Sequence, residues 1–190
     1  MKRPLRRPLP ILNLFLVAAL STPLFSSAQE TVEEQARKLL EQHKSSLVVV
    51  TAKGVLKAKT TGDPLPDRDQ QRRTLGVTIG EDGLVVVSNS AIDASVGLAG
   101  QQARMEEEVV EIQSALTEFT EVEISYGDST LLKGKVLRQD VEADVAFILP
   151  DQEAAKAANK VFDRVDLSQF AATAEAADRV VGLSRSSAVY

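Results

Sequence analysis

Nucleophilic and acid–base chemistry near neutral pH calls on imidazole, thiolate, an activated hydroxyl or a paired carboxylate. This chain of 190 residues has no cysteine and one histidine, so thiol nucleophiles, disulfides and cysteine-ligated metal sites are excluded. The histidine, His43, closes TVEEQARKLLEQHK (residues 31–44), where a helix dipole favours a cation, and it reads as a surface residue. No G-x-S-G-G or G-x-S-x-G occurs, so the turn that exposes a serine nucleophile and builds its oxyanion hole is missing from the sequence. The neighbouring carboxylates Glu81/Asp82 and Glu121/Glu123 fall on a turn and on an exposed strand face, where solvation accounts for them. Neither EF-hand nor His-rich spacing is present, so the sequence points to no metal and no cofactor.

The elements around these residues are mostly strands. Residues 31–44 carry Val32, Ala36, Leu39 and Leu40 on one helical face, with Thr31 and Glu34 spaced as a capping box. Ser46–Ala52 is a β-branched strand. Lys53–Arg73, with Gly54, Gly62, Pro64, Pro66 and many charges, reads as a long polar loop without order of its own. Two apolar runs around Glu81-Asp82-Gly83, Val77–Ile79 and Leu84–Val87, predict a tight hairpin. In Gln101–Thr117, Met105, Val109, Ile112 and Leu116 recur at helical spacing and predict a helix. Glu121–Tyr126 and Leu131–Leu137 form a second hairpin, Asp144–Leu149 a buried strand, Gln152–Lys160 a short helix, and Arg179–Leu183 a last strand.

The N-terminus reads as an address. Lys2, Arg3, Arg6 and Arg7 make a basic region, Ile11–Leu20 an apolar one, and Ser26-Ser27-Ala28 a cleavage site, so residues 1–28 are expected to be a signal peptide. An uncleaved N-terminal anchor is the alternative, although the apolar run is short for a membrane span. Cleavage would remove four of the 22 basic residues and leave 18 against 27 acidic ones. That balance argues against nucleic acid or an anionic membrane as the partner and suits an exported protein of the periplasm or cell envelope. Residues 29–45 then form an N-terminal helix and 46–190 the main domain.

The segment TLGVTIGEDGLVVVSNSAID (residues 74–93) and the later QDVEADVA (139–146) resemble two segments of the HtrA/Deg type of trypsin-like serine protease. There the first reads roughly G-x-x-x-x-x-x-G-x-x-x-T-N-x-H-V-V, and Ser90 stands where that pattern has its histidine. The second reads roughly R-D-x-x-x-D-L-A-x-L, and Asp144 matches the aspartate that orients the histidine. The resemblance implies a mainly β fold, the Greek-key first barrel of a double-barrel protease, with an N-terminal helix and an inserted helix at 101–117. It covers about Thr31–Leu183, where Asp178–Leu183 resembles the strand opening the second barrel. It also implies loss of catalysis, because a serine hydroxyl does not take a proton near neutral pH. Ser90 and Asp144 are then remnants, expected to form a satisfied polar pair.

The function expected is an inactive protease-like module that binds protein or peptide, of unspecified oligomeric state. Two alternatives stand beside it: the N-terminal part of a longer HtrA/Deg-like endopeptidase, and an envelope structural or assembly protein unrelated to proteases.

Overall fold

The computed structural model describes residues 31–62, 64–105, 108–169 and Gly182. The signal segment 1–28 therefore lies outside the described residues, as does nearly all of the strand expected at 179–183. From Val32 onward the order is α1 (Val32–His43), β1 (Leu47–Thr60), β2 (Arg68–Thr78), β3 (Val85–Ser88) and α2 (Asn89–Ile92). Then come β4 (Gln102–Met105), β5 (Glu108–Ser125), β6 (Leu131–Asp140), β7 (Val145–Pro150) and α3 (Gln152–Ala157), with a 3-10 turn at Leu167–Gln169.

All strand pairs are antiparallel, and the order β1-β2-β3-β7-β6-β5 closes when β5 pairs back onto β1. The result is a six-strand antiparallel barrel, and β4 hangs on β5 outside it. Closure satisfies the edges that an open sheet would expose. The interior is filled by alternate residues: Val48, Val50 and Ala52 from β1, Val85 and Val87 from β3, Val122 and Ile124 from β5, and Ala146 and Ile148 from β7. Tyr126, just past β5, is 2% exposed and joins them, and Phe162 packs its ring 5.4 Å from it. Lys160 sits 4.7 Å over the Tyr126 ring and pairs with Asp128 at 2.7 Å, fastening the chain after α3 to the barrel.

The Glu81-Asp82-Gly83 turn forms as its sequence requires. Gly83 has φ +80, and a Cβ there would lie 2.6 Å from the Phe162 ring. Gly83→Ala therefore combines left-handed backbone strain with overpacking, and we expect a loss of roughly 2 kcal/mol or more in urea unfolding. Adding Phe162→Ala should recover the packing part and leave the backbone part.

Two expectations are corrected. Gln101–Thr117 is not a helix: it is β4 and the first part of β5, paired Gln102↔Glu111 to Met105↔Glu108. The helical spacing is accidental, since Met105 lies on β4 and Val109 and Leu116 are more than half exposed, while the alternation of β5 is broken by two register shifts, one opposite Lys59/Thr60 and one opposite Lys53/Gly54. Each extra residue reverses which parity faces inward, so Ile112, Thr117 and Val122 are buried at intervals that are not multiples of two. Similarly, 53–73 is not a disordered loop. Its two ends are strands, β1 running to Thr60 and β2 starting at Arg68, paired from Lys53↔Gln71 to Leu56↔Arg68. Charges stand on β2 because Arg68–Arg73 are mostly exposed there, where the core would have demanded apolar residues.

Candidate functional site

The β3–β7 pairing decides which polar residues meet. Ser88 lies opposite Val145, so the residues just past the end of β3 reach the residue just before β7. Ser88 caps α2, and its Oγ accepts a hydrogen bond from the Ala91 N–H at 3.3 Å. Asp144 ends the β6–β7 turn at φ 52, a left-handed conformation that Asp tolerates better than most residues. Its carbonyl accepts the Asn89 N–H at 3.1 Å, which fixes the helical turn against β7.

Ser90 and Asp144 are brought together as the sequence implied. The Ser90 N–H donates to Asp144 Oδ1 at 2.7 Å, and the Ser90 hydroxyl donates to Oδ2 at 3.1 Å. The Ser88 hydroxyl donates to the same Oδ2 at 2.8 Å. Both Asp144 and Ser90 are exposed at the surface. The Asp144 carboxyl is held below the usual carboxylate range, first by the Ser90 N–H and next by the Ser88 hydroxyl, against a small opposing effect of burial. The stability this lends is present above the ordinary aspartate pKa and is lost as pH falls through the lowered one.

Behind this pair lies a second set of polar residues that sequence reasoning missed. Asn89 is fully buried and Asp93 is 8% exposed. One amide joins them: Gln139 Nε2 donates to Asn89 Oδ1 at 2.7 Å and to Asp93 Oδ2 at 2.8 Å. Because a carboxylate only accepts, Asp93 fixes which way the Gln139 amide is turned. Asp93 Oδ1 accepts both the N–H and the hydroxyl of Ser95, at 2.8 and 2.6 Å. Burial pushes the Asp93 carboxyl up, yet the hydrogen bonds, led by the Ser95 hydroxyl, outweigh it and leave the group lowered. Asn89 and Gln139 are 50 positions apart, and no local signal ties them. Only the Asp93–Ser95 turn had a sequence signature, an aspartate followed two positions on by serine.

No imidazole joins this arrangement. His43 ends α1, its carbonyl accepts the N–H and hydroxyl of Ser46, and among the described residues it shares no hydrogen bond with Ser90 or Asp144. Two hydroxyls and a carboxylate of lowered pKa leave the cluster without a proton acceptor tuned to neutral pH. Among the described residues no three His, Asp or Glu side chains gather as metal ligands, and no helix is long and apolar enough to cross a membrane. No protein-family model matches the chain, and no curated protein matches it in sequence. The class that fold and site define is therefore structural: a closed antiparallel barrel with a hydroxyl–carboxylate cluster where β3 and β7 meet.

Proposed function

We propose that the chain is an exported, catalytically inactive trypsin-like domain, a pseudoprotease that works in the cell envelope by binding protein or peptide. The observation that carries this is the grip of Asp144 on residue 90. One carboxylate oxygen takes the backbone N–H of that residue and the other turns to its side chain. An orienting aspartate needs this arrangement to hold a catalytic imidazole in the right tautomer. Here the side chain it meets is a hydroxyl. The strand order supports the same reading: β1, β2 and β3 lie side by side in sequence, the chain then crosses to β5 beside β1, and β6 and β7 fill back to β3. A crossing of this kind agrees with the Greek-key first barrel that the resemblance to the HtrA/Deg type implies.

The reading predicts that purified protein leaves unfolded casein intact over prolonged incubation at neutral pH, by gel and by mass spectrometry. Cleavage that disappears in Asp144→Ala would overturn it.

A further inference from the structure

The barrel is closed, but β2 is not covered along its whole length. β3 pairs with β2 only from Gly76↔Val87 to Thr78↔Val85. From Arg68 to Leu75 the outer edge of β2 pairs with no strand among the described residues, while its inner edge is held by β1. An edge of this length presents alternate unpaired N–H and C=O groups to solvent. It carries neither proline nor a bulge to blunt it.

The side chains on this edge have a definite charge. Arg68, Arg72 and Arg73 are exposed, and among the described residues no carboxylate pairs with them. Lys53 and Lys57, on the neighbouring strand β1, are already engaged by Glu121 and Glu118, both at 2.7–2.8 Å. Register places Arg72 beside Ala52 and Arg68 beside Leu56 on one face of the ribbon, and Arg73 beside Thr51 on the other. A hollow of about 310 Å³, lined by Lys53 and Gly54 of β1, Asp69, Gln70 and Gln71 of β2 and Thr120 of β5, opens beside this stretch. Charged residues on an edge ordinarily keep strands apart. Three arginines against the single acid Asp69 leave this edge net positive, so it repels its own copies and admits a strand of the opposite sign.

We propose that the outer edge of β2, Arg68–Arg73, docks an acidic, extended peptide segment that adds to the sheet as a further strand. Main-chain bonds to β2 hold it, and its carboxylates meet Arg72 on one face and Arg73 on the other, with Arg68 further along. This rests on the reading of the chain as a peptide-binding module and names the surface and partner chemistry for it.

The test uses the purified chain and a fluorescein-labelled octapeptide of threonine, valine and glutamate, followed by fluorescence anisotropy. Binding should weaken with added salt, and by about tenfold or more in Arg72→Glu/Arg73→Glu. The same peptide with alternate amides N-methylated keeps its charge but cannot pair, and it should also bind at least about tenfold more weakly to the unaltered protein. Replacing its glutamates by lysine should abolish binding. Unchanged binding of the N-methylated peptide, or no binding of the acidic one, would overturn the proposal whether or not the double variant folds. Dimerisation that Arg72→Glu/Arg73→Glu removes, seen by light scattering, would also overturn it and assign the edge to a second copy. Mass spectrometry of the same mixture separates the two readings, since a cleaved peptide sinks the pseudoprotease and a merely unbound one sinks only the edge.

Discussion

Ile148→Ala should destabilise the barrel by about 2–5 kcal/mol, toward the upper part of that range, as measured by urea unfolding. Ile148 is fully buried on β7, between Val85 of β3 and Val136 of β6. The cost of such a truncation depends on whether neighbours can close on the space. Here they are poorly placed to do so. The adjacent β6 position is Gly134, where a Cβ would stand 3.0 Å from both Ile148 Cγ2 and Ile124 Cδ1. Ile148 thus fills space that Gly134 leaves, and no side chain at 134 can move into the gap. Domains of this kind retain only about 5–15 kcal/mol in all, so the variant should unfold at markedly lower urea. A second variant checks the cause: Gly134→Ala should be destabilising alone and much less so, or favourable, in the Ile148→Ala background. Additive effects of the two substitutions would show that they do not share this space.

The same residues show why parts of the fold are legible in the sequence and others are not. β7 announces itself as DVAFIL because both its faces are at least partly covered, and the β2–β3 hairpin announces itself through Gly83. β5 hides because its two bulges break the alternation on which strand recognition depends, so that Ile112, Thr117 and Val122 all face inward, and because apolar Val109 and Leu116 stand on its exposed face. The β1–β2 ribbon hides because its long-range partner strand, not its own composition, makes it ordered: Gly54 pairs with Gln70 on one side and Phe119 on the other. Propensity carries no information about such partners. At the site, Ser90 and Asp144 could be named because a resemblance supplied their relation. The link of Gln139 to Asn89 and Asp93 could not, since a hydrogen bond across 46 or 50 positions leaves no trace in either local segment.

Ser90→His should give an imidazole whose pKa lies above the ordinary 6.5, by roughly one unit. The two oxygens of Asp144 are the cause. Oδ1 is occupied by the backbone N–H of residue 90, a contact that any side chain there preserves. Oδ2 now takes the Ser90 and Ser88 hydroxyls, and without the former it is free to accept an imidazole N–H. The site is exposed, so the larger ring is accommodated toward solvent rather than in the core. A carboxylate at hydrogen-bonding distance favours the protonated ring. By linkage, the stability this adds is fully present below about pH 6.5 and is lost as pH rises through the raised folded-state value. Proton NMR titration reads it directly, because His43 supplies the one other imidazole in the spectrum. Ser90→His/Asp144→Asn should remove the shift while leaving the fold unchanged. Casein should remain uncut in both variants, since the introduced base has no G-x-S-G-G nucleophile in this sequence to act on. An imidazole that titrates identically with Asp144 and with Asn at that position would mean the carboxylate only pins the α2 turn, and the trypsin-like reading would lose the contact on which it chiefly rests.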